Sequence, residues 1–517
     1  MKPQQLFTDT VQAPATDEQP ACGVLANLPA LGVIALAIAS SVVLALGGCA
    51  SSAGIASTAQ TIAPVSVGLG AALAVPAVPN PPAVAPDWWR GFGDAALTDL
   101  VERALADHPS LKVAQARLAR AEAAVGGAKA AEGPQVNATL DVSRQHFSAT
   151  SIYPPPLGGS TRTLGTAQIG GAWELDFFGR NRAAIEAAVG MQRAAQADVQ
   201  AARNLLASNV ARTYVQLGRL FAQREVAARS LKQRDEILAL IRQRVQGGLD
   251  TAVEQRQGEG ALPETRQQIE ALDEQIALAR HALAALTAQA PGALDGLVVP
   301  LRSVQAVPLP AAVPADLLGR RADITAARWR IEAAAGDMKS AKAQFYPNIN
   351  LTAFVGLASI GLDRLVNAGS QQYGAGPAIR LPIFDSGRLR ANLSVKTADL
   401  DAAIESYNGA VLDAVHDVAD QIATLRSIDR QQAQQTSAQA AAESAYDLST
   451  QRYKAGLSTY LTVLNAEASV LNQRRQATEL KARALDAQIA LIRALGGGYA
   501  DEARKVGGDH RNSGELS

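Results

Sequence analysis

The sequence predicts a mixed membrane protein in which long, coiled-coil-like α-helices accompany a transmembrane β-barrel that several chains share. Three observations predict this fold class: an internal repeat, a helical apolar period over two long segments, and pairs of short segments with alternating polarity. The composition agrees, because alanine is abundant and aromatic residues make up only 4% of the 517 residues. Alanine is the best helix former and packs closely, so it favours long helices in contact.

The chain contains one structural unit twice. Matching residues of the two copies lie 213 positions apart in the first part of the unit and 208 apart in the second. The pairs are Leu111 and Ile324, Leu118 and Ile331, Ala128 and Ala341, Pro134 and Pro347, Arg180 and Arg388, and Arg244 and Arg452. Each copy reads as helix, strand, strand, very long helix, glycine turn and long returning helix. We assign 87–295 to the first copy, 296–318 to a connector and 319–498 to the second copy.

The long helices are predicted by the spacing of apolar residues. From Val199 to Phe221 they recur about every 3.7 residues, and from Ile404 to Leu425 about every 3.5, which fits coiled-coil-like packing. In each copy, 64 positions separate the two matched arginines. A helix of that length spans roughly 95 Å at 1.5 Å per residue. No compact globular domain has room for such a helix.

The strands are predicted by alternation. VNATLDVS from Val136, AQIGGAWELDF from Ala167 and the segment from Ile349 each place apolar residues on one face, while a fourth strand near 373–383 is interrupted by prolines. Segments of about 10 residues suit a tilted membrane strand, although a half-buried sheet of a soluble protein would alternate in the same way. The residues we expect to face lipid are Val136, Leu140, Ile169, Trp173, Leu175, Leu351, Val355 and Ile379.

The long helices favour the membrane interpretation of these strands. Four strands flanked by such helices cannot build a soluble core, and four strands cannot close a barrel, since the smallest membrane barrels have eight. An open edge in lipid would leave backbone groups unpaired. Several chains must therefore share one barrel, and three copies would supply twelve strands.

The connections around the strands follow from the same assignment. Residues 148–163 and 359–372 are expected to be extracellular. In the joint LPIFDSGRLR, Pro382 cannot donate a ladder hydrogen bond, Asp385 or Ser386 can cap the following helix, and Gly387 permits the bend.

The N-terminus carries a segment that is typical of lipoproteins. Residues 30–46 are uncharged, and the following Leu46-Gly47-Gly48-Cys49 resembles a bacterial lipobox. This resemblance predicts a signal peptide over 1–48 and a lipidated tether over 49–86, with the lipid on Cys49. The alternative is an uncleaved membrane anchor. Ala50 favours the outer membrane by analogy with other lipoproteins, and 499–517 read as a loose polar tail.

Five motifs in order resemble the outer-membrane efflux channel family, which is TolC-like, and specifically its NodT-type lipoprotein branch. They are DWWRGFGDAALTDLVERAL, WELDFFGR, FYPNINLTAF, LPIFDSGRLRANL and YKAGLSTYLTVLNAEASVL. The resemblance implies a homotrimer whose twelve-stranded barrel in the outer membrane of a Gram-negative cell continues into an α-helical coiled-coil tunnel across the periplasm. It further implies a passive duct for drugs or other small toxic compounds, with aromatic acids among the candidates. The expected partners are a periplasmic adaptor, an inner-membrane pump of the RND, MFS or aromatic-acid exporter type, and outer-membrane lipid.

The same resemblance assigns roles to the two glycine turns. Gly248, Leu249, Gly456 and Leu457 are expected at the periplasmic tips, where an exposed leucine offers an apolar knob to an adaptor helix. The alternative is a helix reversal without a partner.

A periplasmic aperture is expected at the second tip. Tyr453, Thr462 and Asn465 match the family's positions there, but Asn465 stands where an aspartate is common. Three amides would neither repel one another nor attract cations, which predicts a gate of low cation sensitivity.

No enzyme class finds support in the sequence. It lacks a G-x-x-x-x-G-K-[ST] loop and a dinucleotide fingerprint, and its five histidines have no metal-ligand spacing. We therefore expect no metal and no cofactor apart from the lipid. Lysine plus arginine balances aspartate plus glutamate at 48 each, which gives no reason to expect nucleic acid. Two alternatives remain: a channel for type I protein secretion, and a lipid-anchored coiled-coil scaffold or adhesin.

Overall fold

The computed structural model describes residues 51–63, 84–307 and 321–499. The predicted signal peptide, Cys49 and nearly all of the predicted tail lie outside these ranges. The principal helices and strands in the described ranges are α1 (Ala95–Asp107), α2 (Pro109–Ala130), β1 (Gln135–His146), β2 (Thr161–Leu175), α3 (Arg180–Gln246), α4 (Ala252–Leu286), α5 (Ala322–Ala343), β3 (Asn348–Ile360), β4 (Gln371–Arg380), α6 (Arg388–Lys454) and α7 (Tyr460–Ala494).

The internal repeat is confirmed by the element order. Helix, strand, strand, long helix and returning helix occur first as α2 to α4 with β1 and β2, and again as α5 to α7 with β3 and β4. Both long helices, α3 and α6, have 67 residues, and both returning helices, α4 and α7, have 35. At 1.5 Å per residue the long helices reach about 100 Å. The two hairpins, α3–α4 and α6–α7, are therefore matched in length.

The predicted apolar period marks the buried faces of the long helices. Leu206, Val210 and Tyr214 of α3 are buried, as are Val411 and Val418 of α6. Residues on this spacing form one side of a helix.

Small residues let α3 and α5 approach closely. A Cβ atom on Gly336 would lie 2.8 Å from the backbone N of Ala187 and 2.9 Å from the carbonyl O of Ala183. A Cβ on Gly190 would lie 2.9 Å from the N of Ala333. Both distances are far below van der Waals contact, so only glycine fits where these helices cross. This contact joins the first copy of the repeat to the second.

A hydrophobic core near the middle of the helices holds the short elements. Trp88, Trp89 and Phe92 of a short 3₁₀ helix are buried against α1 and α3. Val299 and Leu301, which lie within the predicted connector, are buried in the same core. This part of the connector therefore packs onto the helices.

The four strands form one antiparallel sheet in the order β1-β2-β3-β4. β1, β2 and β3 have 12, 15 and 13 residues, so the expected length of about ten was too short for them. Pairing continues as far as His146 opposite Thr161, beyond the apolar alternation, because backbone hydrogen bonds do not depend on side-chain polarity. The connections are correspondingly shorter than predicted, 147–160 and 361–370.

The joint before α6 depends on an aspartate. Asp385 accepts hydrogen bonds from the backbone N–H groups of Gly387 at 3.1 Å and Leu389 at 2.9 Å. Of the two predicted capping residues, Asp385 therefore binds the helix start. Gly387 takes a φ of 85°, as Gly179 before α3 takes 75°, which is the left-handed region that glycine adopts without strain. The bend predicted at Gly387 is confirmed.

Residues 51–63 form an extended strap along α6. Ser57 Oγ donates to Asp401 Oδ1 at 2.5 Å, and the N–H of Ile62 donates to Asn408 Oδ1 at 2.8 Å. At the sheet end of α6, the Arg390 guanidinium donates to the carbonyl oxygens of Ser51 and Ala53. The strap is therefore fixed to α6 at three levels.

Candidate functional site: the sheet face and the helical tips

The eight residues predicted to face lipid all lie on one face of the sheet. Ile169 pairs with Val355, and Trp173 pairs with Leu351, so the apolar positions of neighbouring strands coincide. All are exposed in the chain except Leu175, which is half-buried. The carboxylates of the strands, Asp141 and Glu174, belong to the opposite face by their register. The sheet thus presents one apolar surface that the chain itself leaves largely uncovered.

Aromatic side chains surround the helix-facing end of this sheet. Trp173 Nε1 donates to the carbonyl O of Glu132 at 2.9 Å, and Phe178 stacks on Tyr346 with ring centroids 4.9 Å apart. Phe384, after β4, is 86% exposed. Membrane barrels concentrate such amphipathic or aromatic side chains where lipid meets water.

The two hairpin tips have the same backbone geometry. Gly248 and Gly456 have φ angles of 70° and 75°. The N–H of Leu249 donates to the carbonyl O of Arg244, and that of Leu457 donates to Arg452, both at 2.8 Å. This bond closes the end of a helix over a left-handed glycine, as in a Schellman motif. The sequence repeat therefore predicted that the two turns are alike, and residues 208 positions apart have the same conformation and hydrogen bond in both.

Each tip exposes a pair of apolar side chains. Leu249 and Leu457 are both 69% exposed. Four residues further on, Val253 and Leu461 are also exposed and occupy equivalent positions in the two copies. Sequence reasoning missed this second pair, although the 208-residue offset relates them. The tips therefore end in apolar patches rather than in single leucines.

A hydrogen-bonded cluster, which we call the tip tie, joins the two hairpins. Arg244 of α3 binds Asp250 through two bonds, Nε to Oδ2 at 2.9 Å and Nη2 to Oδ1 at 3.2 Å. The Tyr453 hydroxyl donates to Asp250, and Arg244 Nη1 donates to the Tyr453 carbonyl O at 3.2 Å. The Arg244 guanidinium also lies 4.7 Å from the Tyr453 ring centroid. Sequence reasoning named Tyr453 but missed its partners, for which the charged residues flanking QGGL were the available signal.

The electrostatics of the tip tie keep Asp250 ionised. Burial works to raise the pKa of Asp250, but hydrogen bonds from Arg244 and Tyr453 outweigh it and hold the pKa below its usual range. Burial and the Asp250 carboxylate together raise the pKa of Tyr453, so its hydroxyl remains a donor. The stabilisation from Asp250 is therefore fully present above its unfolded pKa of about 3.9 and is lost only as the pH falls through the lowered native pKa.

The three predicted aperture residues differ in exposure. Tyr453 is fully buried in the tip tie and packs near Tyr460, whereas Thr462 and Asn465 are exposed on α7. Thr462 Oγ1 lies 3.4 Å from Thr459 Oγ1. The exposed face of α7 at this end therefore presents neutral polar groups.

A second buried contact joins the hairpins further from the tips. Glu467 of α7 is 3% exposed and accepts from Arg234 Nε at 2.9 Å and from Ser230 Oγ at 3.2 Å. Arg234 Nη1 in turn donates to Thr265 Oγ1 of α4 at 2.9 Å. Three helices thus meet at one buried ion pair whose hydrogen bonds are supplied by neighbouring groups, as a buried charge requires.

No group of three or more His, Cys, Asp or Glu side chains within residues 51–63, 84–307 and 321–499 is arranged to hold a metal ion. None of the helices in the same ranges combines the length and apolar character needed to span a membrane.

Comparison with known proteins identifies the family. The sequence profile of the outer membrane efflux protein family matches residues 100–289 and 313–497, one stretch in each copy of the repeat. The chain belongs to this family. The predicted family and fold class are thereby confirmed, with long helices and a four-stranded sheet in each chain.

Relatives with a described role align with most of this chain. It is 35% identical over 420 residues to the putative multidrug resistance outer membrane protein MdtQ of Escherichia coli K12, covering 80% of this chain and 88% of MdtQ. It is 38% identical over 374 residues to the fusaric acid resistance protein FusA of Burkholderia cepacia, covering 71% and 70%. Among solved structures, the outer membrane protein VceC of Vibrio cholerae superimposes with a TM-score of 0.76 at 36% identity, covering 81% of this chain and all of VceC.

Proposed function

We propose that this protein is the outer-membrane channel subunit of a tripartite efflux system in a Gram-negative bacterium. It acts as a passive duct that carries drugs or small toxic compounds from an inner-membrane pump and a periplasmic adaptor to the exterior. The observation that carries this proposal is the sheet, which has one uncovered apolar face and two free edges in the described part of the chain.

The free edges support a channel shared by three chains. β1 and β4 lie at opposite edges of the described sheet, and each would leave a row of unpaired backbone groups in lipid at several kcal/mol per group. Pairing β1 of one copy with β4 of the next removes both edges. Two copies would give eight strands, whose interior is filled by side chains, whereas three give twelve and leave room for a passage. A homotrimer is the smallest assembly that satisfies both requirements.

The helices support a tunnel that continues the barrel. The strands end at Leu175 and Arg380, and a 67-residue helix begins within ten residues of each. Three copies place six such hairpins around one axis. The exposed apolar pairs at their tips, centred on Leu249 and Leu457, are suited to a helical hairpin of a periplasmic adaptor.

The strap supports a lipid anchor at the membrane end. Cys49 lies two residues before the first described residue, Ser51, whose carbonyl accepts from Arg390 close to the sheet end of α6. A diacylglycerol on Cys49 would then be attached close in sequence to the contact at the sheet end of α6. Several acyl chains give firm attachment where a single one is marginal.

The names of two relatives support the cargo class. MdtQ is described as a multidrug resistance protein and FusA as a fusaric acid resistance protein. Fusaric acid is a pyridine carboxylic acid, so an aromatic acid is a sensible first cargo to test. The pump, of RND, MFS or aromatic-acid exporter type, would supply the energy.

Deletion and complementation in the native host test the proposal. Loss of the gene should lower the minimal inhibitory concentration of fusaric acid or of several drugs at least fourfold, and the wild-type gene should restore it. Unchanged susceptibility together with missing proteins in the culture medium would instead identify a type I secretion channel. If neither phenotype appears and only surface attachment is lost, the scaffold or adhesin alternative replaces the channel.

A further inference from the structure

We infer that Arg144 and Arg364 form a binding site for the phosphate groups of lipid A, at the extracellular rim of the apolar sheet face. This inference rests on the proposed function, since it requires the sheet to stand in the outer membrane. It adds a specific ligand at a surface that has no role in the proposed efflux.

The register places Arg144 on the apolar face. Along β1 this face carries Val136, Ala138, Leu140 and Val142, and Arg144 is the next residue on the same side. Across the strands, the register puts no aspartate or glutamate on this face. Arg144 is exposed and forms no ion pair in the described part of the chain.

The height of Arg144 matches the outer boundary of the bilayer. Trp173, at the other end of the face, stands opposite Pro134 by extension of the Gln135–Ala172 pair. Ten residue steps of about 3.4 Å separate Pro134 from Arg144 along the strand, roughly 34 Å. At a strand tilt of about 40° this becomes roughly 26 Å, close to the ~25 Å apolar band of membrane barrels. Trp173 therefore marks the inner interface and Arg144 the outer one.

The β3–β4 connection brings a second arginine to the same rim. Gly165 of β2 lies on the apolar face, and a Cβ there would lie 2.9 Å from Leu362 and 3.4 Å from Leu365. The connection is thus folded onto the apolar side of the sheet, with Arg364 between these leucines. Its position is fixed by the N–H of Gly361, which donates to the carbonyl O of Thr163 at 2.7 Å.

Arg144 and Arg364 lie within reach of one ligand. Thr163 is the direct partner of Arg144 and also binds Gly361, so Arg144 and Gly361 lie two strand spacings apart, with Arg364 three residues beyond Gly361. At about 4.8 Å per strand, Arg144 and Gly361 are roughly 10 Å apart. Arg364 pairs with Asp363, whose carboxylate lies 3.8 Å from Arg364 Nε, and both side chains are more than 70% exposed. Such a pair contributes little in water and can yield to a phosphate.

The chemistry of the rim selects the ligand. The side chains of Leu362 and Leu365 lie next to two arginines. Such a surface suits a ligand that carries acyl chains and anionic groups side by side. Lipid A, which fills the outer leaflet, carries phosphates directly above its acyl chains. Arginine binds phosphate through two parallel charge-assisted hydrogen bonds. The rim would therefore hold a lipid A molecule in a fixed position against the channel.

The test compares binding of two lipids to purified full-length protein in detergent. The probes are bisphosphorylated lipid A and the same lipid with both phosphates removed, and retention is measured by native mass spectrometry. The double variant Arg144→Gln/Arg364→Gln should bind the phosphorylated lipid at least tenfold more weakly than wild type, since each arginine near an anionic surface contributes about a fivefold factor. Binding of the dephosphorylated lipid should be unchanged. Arg162→Gln, at the same level on the opposite face, is the matched control and should bind as wild type.

Two results would overturn the inference: a double variant that binds like wild type, or a wild type that does not distinguish the two lipids. Conductance of the same preparations in planar bilayers separates this failure from failure of the proposed function. Conducting channels with unaltered lipid binding would refute the lipid A site alone, whereas preparations that never conduct would refute the channel.

Discussion

At the scale of single residues, the tips of the two hairpins are held through Asp250. It receives two hydrogen bonds from Arg244 and one from Tyr453, so one carboxylate links the first hairpin to the second. Its counterpart in the second copy is Ser458, which cannot form such a link. The repeat therefore carries the tip tie on one side only, and the buried Arg234–Glu467 pair adds a second link between the hairpins further from the tips.

Asp250→Asn is expected to loosen the tips. A hydrogen bond to a charged group contributes about 1.5–3 kcal/mol, so loss of the charge should shift the closed-to-open equilibrium at least tenfold towards open. Single-channel recording in planar bilayers measures this as a higher open probability. Arg256→Gln, which removes an exposed ion pair at the same tip, is the control and should leave gating unchanged. An Asp250→Asn channel that gates like wild type would show that the tip tie does not close the channel.

Asn465 is expected to make the aperture insensitive to cations. An Asn465→Asp change adds one carboxylate per chain on the exposed face of α7, where neutral groups now lie. The variant should be blocked by millimolar divalent cations, whereas wild type should conduct almost unchanged. Bilayer conductance with and without the cation measures the difference. The idea fails if wild type is blocked as strongly as the variant.

The roles of some residues could be predicted from the sequence and those of others could not, because only some of them depend on local geometry. Turn residues such as Gly248 and Leu249 were predictable, because a left-handed glycine and an exposed neighbour follow from local geometry. Asp250 as a partner of Tyr453 was not, because 203 residues separate the two and only the packing of the hairpins brings them together. Asn465 lies on α7 of the second hairpin, and its place in an aperture stays a prediction, because an aperture would be formed between chains.

At the scale of elements, the contact between α3 and α5 holds the two copies of the repeat together. Both helices have only glycine or alanine where their backbones come closest. This close contact fixes the distance between α3 of the first copy and α5 of the second. The predicted element order is confirmed, since apolar spacing is a local property. The close crossing could not be predicted, because Gly190 and Gly336 are unremarkable in an alanine-rich helix until the partner backbone is known. The strand ends were likewise missed, as pairing continued past the apolar alternation.

Gly336→Ala should destabilise the fold. The added methyl would overlap backbone atoms of Ala183 and Ala187, and overpacking of this kind costs about 1–3 kcal/mol. Thermal unfolding followed by far-UV circular dichroism should show a lower midpoint. Gly260→Ala in α4, where a Cβ meets nothing within 4 Å, is the control and should raise the midpoint or leave it unchanged. Equal midpoints for the two variants would contradict the close crossing.

The apolar tips should be needed for transport but not for assembly. Leu249→Glu combined with Leu457→Glu places charges where an adaptor helix is expected to pack. Resistance conferred by the complementing gene should fall to the level of the deletion strain, while the amount of oligomer in the membrane stays constant. Ile152→Glu, the same kind of change at a 92% exposed residue in the β1–β2 connection, should leave resistance intact. Full resistance of the double tip variant would mean that the tips bind no partner.

At the scale of the whole molecule, one chain supplies only part of a barrel. It has four strands, one uncovered apolar face and two hairpins of matched length, and in the described ranges nothing closes the sheet upon itself. The sequence predicted this incompleteness correctly, because strand count and helix length can be read from periodicity. The closed assembly could not be derived from one chain, since the contacts that complete the barrel are made between chains.

The most direct test is single-channel recording of the purified mature protein in a planar bilayer, with the mass of the same detergent-solubilised particle determined by native mass spectrometry. The account predicts a trimer that produces discrete conductance steps without any energy source. A monomeric particle that leaves the bilayer electrically sealed would contradict it.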